Sequence, residues 1–144
     1  MDRLQPFIGE WKMEAEFPQT GPTGHAGTSV FEWILGGKFL VHRSQIPHPA
    51  APEGFAIMGL SPDGEAYTQH YFDSRGVVRV YAMTFDDGEW TLLRDSPDFT
   101  PLSFSQRFTG TFSHDGDTIR GQWERSDDGS SWELDFHLTY TRSG

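Results

Sequence analysis

The feature that most restricts this chain is an alternation with a period of two residues. In EWKMEAEF (10–17), Trp11, Met13, Ala15 and Phe17 alternate with Glu10, Lys12, Glu14 and Glu16. Side chains two apart share one face of a strand, so this segment has one dry face and one wet face. LSFSQRFTGTF (102–112) repeats the pattern, with Leu102, Phe104, Gln106, Phe108 and Phe112 on one side. In WELDFHLTYT (132–141), Trp132, Leu134, Phe136, Leu138 and Tyr140 face one way, against Glu133, Asp135, His137, Thr139 and Thr141. Helical spacing is almost absent.

Turn clusters separate these segments: LGGK (35–38), SPDG (61–64), DSRG (73–76), DDG (86–88), HDGD (114–117) and SDDGS (126–130). Gly, Asp and Pro supply the dihedrals that tight hairpins need. Turns about every dozen residues predict an antiparallel meander of about ten strands, near 10–17, 25–35, 38–46, 54–61, 66–73, 77–86, 89–96, 102–113, 118–126 and 131–142. An open sheet of that width would leave two bare edges and an uncovered apolar face, which closure into an up-and-down barrel removes. A sandwich is the alternative, but it needs long crossing connections that are not evident. The chain is therefore read as all-β, one domain over 1–144, a lipocalin-like barrel with a short N-terminal helical turn plugging one end. Barrel width grows with strand number, so about ten strands imply a cavity unless aromatic side chains fill it.

Connections in such a barrel alternate between its ends. Those after strands two, four, six and eight are tight, whereas PQTGPTG (18–24), PHPAAPE (47–53) and SPDFTP (96–101) are longer and contain proline. This parity predicts a pinned floor and a looser rim, where access usually resides. Gly9 and Trp11 open strand one at the floor, where the last strand ends in TYTR (139–142). Arg142 shares the phase of Leu138 and Tyr140, so its guanidinium can lie over the Trp11 indole while donating to nearby carbonyls. Gly9 lets the preceding segment, Leu4 to Ile8, fold across the opening.

This Gly-x-Trp at the head of strand one, with an arginine near the end of the closing strand, resembles the signature of calycin-type barrels: lipocalins, fatty-acid-binding proteins and haem-binding nitrobindins. Over nearly the whole chain, including FIGEW, ILGGKFL, HYFDSRGV, SQRFTGTFS and TYTR, the sequence also resembles a family of small bacterial proteins of unknown function. The fatty-acid-binding branch implies a helical lid between the first two strands, and the gap here is too short for one. The nitrobindin branch implies haem held by a histidine near the end of the final strand. His137 invites that comparison, yet its phase is the wet face, so any haem ligand would be a histidine in the cavity. No other cofactor is expected.

Composition narrows the partners. A formal charge of -10 repels phosphate backbones and anionic headgroups, so nucleic acid is not an expected partner. Without cysteine there is no disulfide, thiolate metal site or cysteine nucleophile. No apolar run is long enough for a membrane span, and MDRLQPF lacks the basic and apolar regions of a signal peptide. A cytoplasmic setting is expected.

The expected ligand-binding residues are His42, His70, Tyr81, Gln106, Trp123 and Tyr140, polar groups and an indole converging in an aromatic cavity. Gln106 and Tyr140 follow the dry phase. The facing of Leu40, His42, Ser44 and Ile46 against Phe39, Val41, Arg43 and Gln45 stays open, as does that of YTQHYFD (67–73). Arg79 and Tyr81 share a phase.

The acidic DDG turns lack the ligand ladder of a calcium loop, GLSPDG is wrongly spaced for a nucleophile elbow, and no metal site is expected. His25 and His48 would flank the rim. The leading expectation is a binding barrel for a small hydrophobic or aromatic ligand. One alternative is an enzyme acting on a hydrophobic molecule through His42 or His70 with Tyr81 or Tyr140; another is a haem protein. An exterior aromatic stripe, for which Phe31 and Trp33 are candidates, would mark a homodimer contact.

Overall fold

The computed structural model describes residues 1–19, 21–47, 52–99 and 101–143, with backbone alone over 22–25. Ten antiparallel strands close into one barrel in which each strand pairs with its sequence neighbours and β1 pairs with β10. They are β1 (Gly9–Phe17), β2 (Gly21–Ile34), β3 (Phe39–Gln45), β4 (Gly54–Leu60), β5 (Tyr67–Asp73), β6 (Val78–Asp86), β7 (Glu89–Arg94), β8 (Ser105–Phe112), β9 (Thr118–Ser126) and β10 (Glu133–Arg142). A 3-10 turn, Asp2–Phe7, precedes them.

The predicted strand boundaries hold to within a few residues, with two revisions. Strand β2 begins at Gly21, so most of PQTGPTG belongs to the ladder instead of a rim loop. Strand β8 begins at Ser105, and Phe104 lies beyond its end under the Arg125 and Arg79 guanidinium groups, 4.3 and 5.8 Å from its ring centre.

Three of the turns share a local device. Ser61, Ser113 and Ser126 each donate from Oγ to the aspartate two residues on, Asp63, Asp115 and Asp128. Each is followed by a glycine with φ near +75° (Gly64 +73°, Gly116 +79°, Gly129 +80°). A Ser-x-Asp-Gly segment thus closes its own loop through the side chains, and glycine takes the left-handed step without steric cost.

The floor is built as the parity of the connections predicts. Phe7 inserts from the 3-10 turn into a nest of rings: Phe31, Phe85, Trp90 and Phe112 stand with centroids 5.3, 4.9, 5.0 and 5.0 Å away. Leu4, Phe7 and Trp11 are fully buried, and burial of a side chain like Phe7 stabilises by about 1.5–3 kcal/mol. Trp11 Nε1 donates to Phe7 O at 2.9 Å, so the tryptophan also holds the turn that covers it.

Arg142 completes the plug. Its guanidinium lies 4.1 Å from the Trp11 ring centre and donates to Ile8 O (2.8 Å) and Pro6 O (2.9 Å). Gly9 has φ +129°, so the backbone favours glycine, and a Cβ there would stand 2.8 Å from Arg142 Nη1 and press on the guanidinium that holds the two carbonyls.

Two expected facings are corrected. Phe31 is buried inside the barrel, and Trp33, in the same phase, donates from Nε1 to Gln5 Oε1 of the N-terminal turn, so neither forms an exterior stripe. In β10 the register shifts between Leu134 and Phe136, so that Leu134 opposes Glu124 while Phe136 opposes Trp123. Trp132 and Leu134 are consequently outside: Trp132 lies under Arg107, 4.2 Å from its ring centre, and Leu134 is 40% exposed. A bulge inserts one residue and reverses the phase on one side of it, which no count of alternation reveals. No helix among the described residues is long and apolar enough to cross a membrane.

Candidate functional site

The same inner faces that crowd the floor leave the other half of the barrel hollow, and residue size explains the difference. The floor end carries Phe7, Phe31, Trp11, Met83, Trp90 and Ile119. Towards the mouth the inner positions include Ala15, Ser44 and Ala56, too small to meet across the bore, and a cavity of about 860 Å³ remains. A gap of that size is within the range of small-molecule sites.

The cavity has two chemically different walls. From β9, β10 and β1 come Trp123, Phe136, Leu138, Met13, Ala15 and Phe17. From β5, β6 and β8 come Gln69, Tyr71, Arg79, Tyr81 and Gln106. Register builds the polar wall: Gln69 opposes Tyr81, and Tyr71 opposes Arg79. The Tyr81 hydroxyl donates to Gln106 Oε1 at 3.2 Å. Gln69 is only 4% exposed, and among the described residues its Oε1 has no hydrogen-bond partner, nor does the Trp90 indole Nε1 at the deep end. Buried polar atoms normally find partners, so these are the atoms to which a ligand group or an ordered water would be joined.

At the mouth, Tyr71 donates to Asp73 Oδ2 (2.9 Å), which also accepts from Arg75 Nη2 (2.6 Å). These hydrogen bonds hold the Asp73 carboxyl at about 2, against the opposing effect of its own burial. Burial first, then this hydrogen bond and the carboxylate charge, push the Tyr71 phenol up. The connection after β7 is tied down by Asp98, which accepts from Arg94 Nε (2.8 Å) and Nη2 (3.0 Å) and from the Val80 backbone N–H (2.9 Å). Both side chains of this ion pair are nearly fully buried, at 3% and 6% exposure.

Five of the six sequence-predicted ligand-binding residues line the cavity: His42, Tyr81, Gln106, Trp123 and Tyr140. His70 does not. It is exposed on the outer face of β5, because Tyr67, Gln69 and Tyr71 take the inward phase. Sequence reasoning missed Gln69 and Tyr71, which lie in the evenly balanced YTQHYFD, and left Arg79 unassigned although it shares its phase with Tyr81. His48 and the side chain of His25 lie outside the described residues.

His42 stands where β3 crosses the middle of the barrel. Its Nε2 is 3.0 Å from Ser29 Oγ, and its ring is stacked on Phe31 with centroids 4.0 Å apart and planes at 11°. Burial lowers its pKa to about 3, so the imidazole is neutral at ordinary pH. Ser29 is fully buried and does not line the cavity, so this pair does not present a nucleophile to a ligand.

The haem implied by resemblance to nitrobindins does not suit these residues. His137 is exposed. His42 is the only histidine among the described residues that lines the cavity, but its Nε2 faces Ser29 and one ring face is covered by Phe31.

No family model matches the chain, and no curated protein matches it. Among solved structures it is similar to Rv2717c from M. tuberculosis, with a TM-score of 0.70 and 14% identity over 99% of this chain and 96% of that one. At that identity the likeness concerns the fold.

Proposed function

We propose that the protein binds one small, largely apolar molecule, aromatic or lipid-like, inside the barrel, with entry at the end opposite the Phe7 plug. The observation that carries this reading is the cavity of about 860 Å³ between an aromatic wall and a polar wall. A core evolved only for stability would be close-packed. Unmet Gln69 Oε1 and Trp90 Nε1 support the same reading.

Acid–base catalysis by the two nominated histidines finds less support. A general acid or base works best with a pKa near the operating pH. That of His42 is held at about 3, and His70 is exposed outside the bore.

Trp90 and Trp123 line the cavity, so tryptophan emission reports on its contents. Titration with Nile red and with dodecanoate is expected to quench or shift that emission saturably, and Trp123→Phe should remove much of the response. An unchanged spectrum with every probe would remove the case for an accessible chamber. Hemin added to the pure protein should show no Soret shift.

A further inference from the structure

We infer that the ligand is an amphipathic organic acid whose carboxylate is held by Arg79 while its apolar body lies against the wall formed by Trp123, Phe136 and Leu138. This rests on the reading of the barrel as a binding protein and specifies the class of molecule.

The charges around the mouth single out Arg79. Arg75 is bound to Asp73, Arg94 to Asp98 and Arg125 to Asp127. Arg79 also lines the cavity, and among the described residues it forms no ion pair. Asp98, which reaches the neighbouring Val80, is already taken by the two hydrogen bonds from Arg94. Arg79 is half-buried and set over the Phe104 ring at 5.8 Å. Burial raises the Tyr81 phenol, and the adjacent Arg79 acts in the opposite sense through its charge and a hydrogen bond, which places the guanidinium beside the phenol.

A guanidinium drawn partly out of water into an apolar chamber is unfavourable unless an anion meets it. In a chain with net charge -10, leaving one inward-facing arginine without a carboxylate is most simply explained if the ligand supplies it. Arginine suits a carboxylate because its planar fork donates two parallel hydrogen bonds. Gln69, which opposes Tyr81 on the adjoining strand, is buried with its Oε1 unpartnered among the described residues; as an acceptor it calls for a donor, an ordered water or an O–H or N–H elsewhere on the ligand, beside the carboxylate that Arg79 holds. The wall around Arg79 therefore has a polar group still to be satisfied.

The test compares dansylaminoundecanoic acid with its methyl ester, which has the same body without the charge. Wild-type protein should bind the acid at least tenfold more tightly than the ester, with an advantage that shrinks as salt is raised. Arg79→Gln should remove that advantage, and Arg79→Lys should keep part of it. Equal binding of acid and ester by the wild type would overturn the carboxylate seat but leave the binding barrel intact. If neither probe binds, the binding reading itself fails, and this one with it. Because the acid–ester comparison uses wild-type protein, it does not depend on how the variants fold.

Discussion

Arg142 and Trp11 face each other across the seam between β10 and β1, with the guanidinium 4.1 Å from the ring centre, and this contact joins the first and last strands at the floor of the barrel. The residues are 131 positions apart in number, yet one side chain covers the indole and also holds the carbonyls of Ile8 and Pro6. Closure of the sheet and plugging of the floor are therefore the work of one cluster.

Arg142→Ala removes the ring contact and leaves those two carbonyls without their donor. The expected loss is about 2–4 kcal/mol of unfolding free energy, from a cation–π contact and charged hydrogen bonds. Arg142→Lys should recover less than half, since an ammonium lacks the planar fork. Urea unfolding measures both. A loss under about 0.5 kcal/mol, the scale of an ordinary surface substitution, would remove Arg142 from the plug.

Gly9→Ala meets two obstacles, a φ of +129° and the Arg142 Nη1 at 2.8 Å. Backbone strain of this kind costs about 1–3 kcal/mol. In an Arg142→Ala background only the backbone part persists, so the two substitutions should be non-additive by about 0.5 kcal/mol or more. Strict additivity in the double-mutant cycle would show that the two do not touch.

Gly121→Ala tests the floor-side packing of β8 and β9. Gly110 and Gly121 oppose each other, and the Phe108 ring lies over them. A Cβ on Gly121 would stand 2.5 Å from Phe108 Cε1, forcing the ring aside. Overpacking predicts a loss of about 1–3 kcal/mol. A thermal midpoint unchanged from wild type would contradict that contact.

Stability should depend on pH through His42. Its folded pKa is about 3 against an ordinary value of 6.5, so the unfolded chain binds the extra proton between those values. The contribution is full above pH 6.5 and declines as pH falls, with a slope of up to about 1.4 kcal/mol per pH unit. Asp73, held at about 2, acts in the same direction but only below its ordinary value of 3.8. Urea midpoints between pH 7.5 and 4.5 should therefore be flatter for His42→Gln than for wild type. Parallel curves would mean that His42 is not kept neutral by the fold.

Ala15→Trp should fill the bore from the β1 side, where Ala15 lines the cavity and opposes Leu138. Nile red affinity is expected to fall at least tenfold with little change in thermal midpoint, because the added ring enters empty space and displaces no packed side chain. Retained affinity would place the ligand elsewhere.

The architecture was legible because its signals are local. Alternation of apolar and polar residues places one face inward at each strand, and Ser-x-Asp-Gly segments close their own turns. The Gly9, Trp11 and Arg142 plug followed from phase and parity alone. The site was legible where a strand had one unmistakably apolar phase, as with Gln106 and Tyr140. It was not legible in YTQHYFD, where both phases carry aromatic rings and His70 competes on equal terms with Gln69 and Tyr71. The exchange of Trp132 and Leu134 to the outside had no local sign, since the bulge in β10 is defined only against β9.

By itself, the sequence determined that the chain is a meander of about ten strands with a pinned floor, because hydrophobic period and turn chemistry act over a few neighbouring residues. The tertiary structure alone decided that the upper bore stays hollow, that Gln69, Tyr71, Arg79, Tyr81 and Gln106 gather on one side of it, and that Arg79 has no carboxylate partner among the described residues. Those outcomes depend on the sizes and charges of side chains brought together from strands far apart in the chain, and on a register that only the closed sheet sets.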